Sequence, residues 1–250
     1  MIWPEFLLLA ALCATMAQAQ QEQCTEQRAE DRLARWRKKW DAKATNFHLD
    51  EEHPVLTRHA PPLALGARVL LPLCGKSLDL AALADRGLDV VGVDGCAGAL
   101  DAFASEHGGN VEPGPNDLSV VRLPSTRTVG FKVGDFLGLA PGDLGGRFDG
   151  AFDRGGLVAV EPADRRAYAA TLADLVRGWV LLVAVEHPPF DGGKLGPPFA
   201  VPEDAVHELF DGAFDVALLE REDRMDAEPA WRERGCDAFF ETSYLLRRRQ

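Results

Sequence analysis

The chain has 250 residues, 46% hydrophobic and 26% charged, with a formal net charge of −12 and a pI near 5.0. That length suits one α/β domain with room for a sizeable core, and the composition is that of an ordinary globular protein. The acidic balance argues against a nucleic-acid surface, which needs a basic patch. The five cysteines show neither a C-x-x-C pair nor a disulfide-dense spacing, so reduced, buried thiols are expected.

In chain order, Phe6 to Ala14 is an apolar run followed by the small-x-small site Ala17-Gln18-Ala19. This is signal-peptide anatomy over residues 1–19, too short to span a bilayer. Pro4 and Glu5 interrupt its approach, and it carries no Lys or Arg. Residues 20–250 then read as a single domain without repeats or linkers. Trp36 and Trp40, four apart, share a helix face, and Arg35, Arg37, Lys38 and Lys39 read as its solvated side. Val69 to Leu71 is a short apolar run fit for a buried parallel strand. Ser77 can cap a helix carried by Leu78, Leu80, Ala81, Leu83 and Ala84, with Gly87 at its end. Val90 to Val93 returns as a second strand that stops at Asp94.

A second helix is predicted over Ala97 to Glu106, ended by Gly108-Gly109. Asn110 to Thr128 is polar and reads as an excursion before the strand Val129 to Val133. Phe148 to Phe152 is the fourth strand, ending at Asp153-Arg154. A helix starts at Pro162 or Asp164 and runs to about Arg177. A fifth strand covers Val180 to Val185, and Glu186 to Ala200 forms a long loop of prolines and glycines. A helix from Glu203 to Phe210 and strands near Asp215 to Leu219 and Phe239 to Leu246 complete the pattern. Arg247 to Arg249 read as a frayed end.

Asp94 follows Gly75 by 19 residues, close to the spacing at which nucleotide-binding βαβ units place a carboxylate against ribose hydroxyls. A dinucleotide pyrophosphate wants G-x-G-x-x-G; this loop has only Gly75. A Walker loop needs a glycine where Leu70 stands, so Gly75-Lys76-Ser77 is a half-match. An adenosine cofactor without phosphates fits better, and S-adenosylmethionine is the common one. Open α/β sheets bind ligands beyond the carboxyl ends of their strands, where Leu73, Asp94, Gly134, Asp153 and Glu186 would meet.

Seven islands in order resemble the thiopurine S-methyltransferase family, from about Trp36 to Leu246. They are WRKKWDAKATNFH (36–48), VLLPLCGKSLDL, LADRGLDVVGVD, GDF (134–136), FDGAFDRGGLVAVEPADRRAYA (148–169), GPPFAVP (196–202) and FFETSYLL (239–246). The resemblance implies an α/β, Rossmann-like, seven-stranded and mostly parallel sheet with helices on both faces. It implies S-adenosylmethionine as cofactor and a lid over residues 30–60, whose Trp36, Trp40 and Phe47 would cover it; aromatic faces stabilise a sulfonium. Leu73 and Gly75 fall in the cofactor loop. Asp94 stands where the family has glutamate, so the ribose match is one of function. Gly134 and Asp135 fall at the adenine. Arg154 falls on the cofactor and substrate side and is the expected catalytic residue, with a structural pair to Asp153 or Glu161 as the competing reading. Phe47 and Phe199 are expected against the substrate. His48 is either a base or a capped structural histidine; His53 and His59 show no partner pattern. Arg232 and Arg234 lie where the family supplies another arginine, in a loosely matched stretch.

The expected function is methyl transfer from S-adenosylmethionine to the sulfur of a small aromatic or heterocyclic thiol. Halide, bisulfide or selenium and tellurium acceptors are the alternative, and a catalytically silent S-adenosylmethionine-binding protein is the alternative of another class. No metal, nucleic acid or membrane span is expected, and a monomer is expected. The N-terminus points to the secretory pathway and the resemblance to the cytoplasm.

Overall fold

A computed structural model describes residues 27–45 and 47–249; the signal-like segment expected over 1–19 lies outside them. The chain forms two compact units, one ending at Ala44 and the other beginning at Thr45. In the first, residues 27–41 are helix α1, which turns Arg37 and Lys38 to solvent and pairs Arg37 with Glu30 at 2.5 Å. Lys39 Nζ lies 4.4 Å from the centroid of the Trp36 ring, on the same helix.

The second unit opens with α2 (Pro54–His59), β1 (Arg68–Pro72), α3 (Leu78–Asp85), β2 (Asp89–Asp94) and α4 (Ala97–Glu106). Strands β3 (Asn110–Pro113), β4 (Ser119–Arg122), β5 (Thr128–Val133) and β6 (Phe148–Arg154) follow. Then come α5 (Arg165–Leu175), β7 (Val176–Glu186), α6 (Glu203–Phe210), β8 (Phe214–Asp223), α7 (Ala230–Glu233) and β9 (Phe240–Arg248). One sheet holds all nine strands in the order β3-β4-β5-β2-β1-β6-β7-β9-β8. The central five are parallel, and their apolar runs reflect burial on both faces. Strand β9 enters antiparallel to β7, and β8 antiparallel to β9.

Seven strands were expected and nine are present among the described residues. The additional pair is the β3–β4 hairpin, formed from the polar excursion and added to the free edge of β5. Its turn places Asn116 and Asp117 at positive φ, which these two residue types tolerate better than others. All four residues of β3 are exposed, so no apolar run announces it. The helix expected over 162–177 is shorter: Pro162–Asp164 is a single 3-10 turn, α5 ends at Leu175, and Val176 already pairs with Phe148. Gly178 explains the change, because a Cβ there would lie 1.9 Å from the Asp149 carbonyl oxygen; the strand runs too close to its neighbour for any other residue. The terminal arginines are not frayed. Arg247 and Arg248 belong to β9, Arg248 donates to the Ala173 carbonyl at 2.9 Å, and Arg249 pairs with Asp215 at 2.7 Å.

Register decides which side chains share a face. Asp153 pairs with Leu182 and Arg154 with Val183 across β6 and β7, so the two point to opposite faces. Asp153 joins the face under α5, where Leu70, Ala151, Leu182 and Tyr244 pack with Tyr168 and Leu172. Arg154 shares the other face with Phe152 and, through Val183 and Val185, with Ser243 and Glu241 of β9. The chain runs outward from β1 through β2 to β5, then crosses back to β6 on the other side of β1. That reversal opens the crevice in which such sheets bind ligands. Among the described residues, Cys74, Cys96 and Cys236 are buried, and no helix is long and apolar enough to cross a membrane.

Candidate active site

The loop after β1 is held in a conformation few residues adopt. Leu73 has φ +45 and Gly75 φ +53; left-handed backbone at a leucine costs energy, and such strain collects at functional sites. The loop leads directly into α3, whose cap is the Ser77 hydroxyl accepting from the Asp79 amide at 3.2 Å. Lys76, the remnant of the half-matched phosphate loop, forms a salt bridge with Glu106 of α4. Glu106 competes with any phosphate for this lysine, and the loop is suited to a cofactor without phosphates.

Asp94, at the end of β2, ties this loop to the next. Its Oδ2 accepts from the Gly75 amide and its Oδ1 from the Cys96 amide, each at 2.9 Å. Burial pushes its carboxyl up to about 6 against the two amides, which favour the charged form. Each oxygen keeps a second lone pair, so the group fits a ribose diol as well as the loop. Gly134 donates to the Asp94 carbonyl at 2.9 Å and has open space where a side chain would stand, the room an adenine edge needs. Asp135 accepts from the Leu137 amide at 3.3 Å in a local turn, and Phe136 beyond it packs on Tyr168 with ring centroids 4.9 Å apart.

The segment after Thr45 crosses to both sides of the crevice. His48 Nδ1 lies 3.0 Å from the Thr45 carbonyl, and Nε2 lies 3.0 Å from the Lys76 amide. The proton therefore sits on Nδ1, and Nε2 accepts. Burial lowers the imidazole to about 4, so it is neutral at physiological pH. Both nitrogens are engaged, and His48 is a structural histidine. It also fills the space beside Gly75, where a Cβ would lie 2.2 Å from its Nε2. Phe47 is 40% exposed, its ring centroid 4.4 Å from that of His48.

Arg154 reaches the same segment from the other side, donating to the Phe47 carbonyl at 2.5 Å. It pairs with neither Asp153, which faces away, nor Glu161; among the described residues it forms no salt bridge. Burial holds its guanidinium below the usual range, opposed chiefly by the charge of Glu241 and then by Asp79 and Glu228. Asp153 is fully buried and accepts from the Tyr168 hydroxyl at 2.8 Å and the Leu157 amide at 3.1 Å. Its burial raises the carboxyl to about 6. Asp153 is thus the scaffold that fixes the turn after Arg154.

The loop after β7 turns inward. Phe199 is buried, donates its amide to the Val158 carbonyl at 2.6 Å and lays its ring over Gly196. Arg232 and Arg234 are engaged elsewhere, with Asp226 at 2.6 Å and Asp191 at 2.9 Å. Trp36 and Trp40 lie on α1 in the first unit. Two residues were not legible in the sequence. His53 is buried, donates its amide to Asp79 at 2.9 Å and caps α2 by accepting from the Val55 amide at 3.3 Å. Glu241 lies 3.5 Å from its ring. A histidine directly before Pro54 at a helix start was the available signal; its partner Glu241 comes from the far end of the chain.

Comparison with known proteins gives this geometry a lineage. The thiopurine S-methyltransferase family model matches residues 31–249. A thiopurine S-methyltransferase of Pseudomonas paraeruginosa is 38% identical over 217 residues, covering 85% of this chain and 97% of that protein. The chain belongs to this family. Its rabbit (Oryctolagus cuniculus) relative of the same name is 34% identical over 234 residues, covering 86% and 89%. Among solved structures, an S-adenosylmethionine-dependent methyltransferase from Methanosarcina mazei superposes with a TM-score of 0.54 at 15% identity, covering 79% of this chain and 98% of that one. That likeness concerns the fold. Family membership makes the chain a methyltransferase dependent on S-adenosylmethionine, which agrees with a carboxylate and an open glycine beside a loop whose lysine is paired.

Proposed function

We propose that the chain transfers the methyl group of S-adenosylmethionine to the sulfur of a small thiol, acting as a monomer in the crevice between β1 and β6. The cofactor supplies an electrophilic methyl on a sulfonium. Asp94 accepts from its ribose, Gly134 and Asp135 border its adenine, and Leu73 and Gly75 shape the loop beneath it. Phe47 and Phe199 give the acceptor its apolar walls. Trp36 and Trp40 enter this reading from the family resemblance.

The observation that carries the acceptor side is Arg154. Its charge is held by a neutral carbonyl rather than a contacting carboxylate, so it is available to favour thiolate over thiol. Attack of a thiolate on a sulfonium forms one S–C bond and breaks another, and both charges vanish. Such a displacement depends on alignment and needs no general base once the thiol proton has left to solvent.

The test is calorimetric titration of the full chain with S-adenosylhomocysteine, followed by turnover with a thiophenol and mass detection of the methyl thioether. Micromolar binding with turnover that falls in Arg154→Ala supports the assignment. Binding without turnover on thiols, with turnover on iodide or bisulfide, would move the acceptor class.

A further inference from the structure

The stretch from Pro198 to Val201, at the end of the loop after β7, is fastened at every residue. The Pro198 carbonyl oxygen lies 3.0 Å from Nε2 of His187, whose ring stacks on Phe239 with centroids 5.6 Å and planes 6° apart. The Phe199 amide donates to the Val158 carbonyl at 2.6 Å, and the Val201 amide to the Val185 carbonyl at 2.8 Å. Between them, Nη2 of Arg165 donates to the Ala200 carbonyl at 3.0 Å. Val158 lies in the turn Leu157–Ala159, which Asp153 fixes through the Leu157 amide. The strap that carries Phe199 therefore hangs from the turn that follows Arg154. Arg165 is the costly member of this set. It is the first residue of α5, only 8% exposed, and among the described residues it forms no salt bridge; its Nε is buried without a hydrogen-bond partner. A guanidinium out of water is expensive unless paired, and an apolar side chain would fill the same space without that penalty. What the arginine adds is a donor on Ala200, the residue directly after Phe199.

We propose that Arg165 is a positioning residue for Phe199: by holding the Ala200 carbonyl it keeps the Phe199 ring in place as a wall and so limits the width of the acceptor thiol. The proposal rests on the assignment of Phe199 to the acceptor side. Helix α5 then serves the acceptor twice, since its Tyr168 holds Asp153 behind Arg154 and its Arg165 holds the wall.

Two acceptors of different width read the wall in the full chain: thiophenol and 2-naphthalenethiol, each at saturating S-adenosylmethionine. R165M keeps a long unbranched side chain and removes the donor to Ala200. It should raise the ratio of kcat/KM for naphthalenethiol over thiophenol about tenfold, the scale on which a hydrophobic wall discriminates. The Kd for S-adenosylhomocysteine should stay unchanged, because the strap lies on the acceptor side. R165K retains a donor on a flexible stem and should bring the ratio most of the way back. F199L is the reference and should raise the same ratio. The F199L/R165M double variant should raise it no further than F199L, as expected of residues that act through one another. If F199L raises the ratio while R165M leaves it unchanged, or lowers kcat/KM for both acceptors alike, the positioning role is overturned and the assignment of Phe199 stands. If F199L leaves the ratio unchanged, that assignment fails and this proposal with it. If R165M does not fold, R165Q, which is too short to reach Ala200, takes its place with the same expected rise.

Discussion

Replacing Asp94 with asparagine separates its loop clamp from the hold on the cofactor proposed for it. In the wild-type protein both oxygens accept backbone amides at 2.9 Å, and burial raises the carboxyl from 3.8 to about 6. A shift of about two units means that ionisation costs the folded state about 3 kcal/mol at pH 8. Asparagine removes that cost but offers one acceptor and one donor where two amides point, leaving a buried N–H unpaired at about 1–3 kcal/mol. The two effects have similar size and opposite sign, so Tm should move by no more than about 5 °C. Cofactor binding has no such compensation. Losing a charged acceptor for hydroxyls costs about 1.5–3 kcal/mol, which is about 10–150-fold in Kd. Calorimetry with S-adenosylhomocysteine at pH 8, beside a thermal melt, reads both. An unchanged Kd with a large drop in Tm would refute the ribose assignment and leave Asp94 a loop clamp. The wild-type protein supplies a pH check. Because the folded carboxyl is raised, its contribution to fold stability is complete below about pH 4, the unfolded value, and is lost as pH rises through about 6. Cofactor affinity should run the other way, weakening as pH falls through about 6 and the carboxylate becomes a carboxylic acid.

Three further outcomes follow from distances already given. Gly75→Ala combines a positive φ with a Cβ 2.2 Å from His48 Nε2, so it should displace His48 and raise the cofactor Kd at least tenfold by calorimetry, with a smaller change in Tm. Gly156→Ala would set a Cβ 2.5 Å from both Asp153 Oδ1 and the Tyr168 hydroxyl and 3.1 Å from the Pro72 carbonyl; the last cannot rotate away, and denaturant unfolding should show a loss of about 2 kcal/mol or more. Tyr168→Phe removes a donor from the buried Asp153 carboxylate and should cost about 1.5–3 kcal/mol at pH 8. It should cost less at pH 5, where that carboxyl, already raised to about 6, is mostly protonated.

Much of the catalytic half was legible because its signals are local. The run from Val69 to Asp94 carries its strands, cap and terminal carboxylate within one stretch, and the observed β1, α3 and β2 follow it closely. Arg154 was legible as the residue at a strand end, though its hold on Phe47 was not. The hairpin β3–β4 escaped because an edge pair facing solvent needs no apolar periodicity. Helix α2 escaped because six residues give less than two turns of pattern. His53 escaped for a different reason: its meaning lies in Asp79, Phe152 and Glu241, which only the folded sheet brings together. The lid role expected of Trp36 and Trp40 came from the family resemblance alone; local spacing favours an ordinary helix stripe.

The salt bridge between Lys76 and Glu106 also bears on what the enzyme ignores. Adenine nucleotides share the adenosine half of the cofactor and surround any adenosine site in a living cell. A loop with an unpartnered lysine would attract their phosphates. Here that lysine is already satisfied, and the chain as a whole carries a net charge of −12. A polyphosphate approaching this loop therefore meets a lysine that already has a partner, on a chain of net negative charge. The loop thus offers a phosphate less than an unpartnered lysine would, and competition by ATP against S-adenosylhomocysteine in calorimetry is expected to be weak.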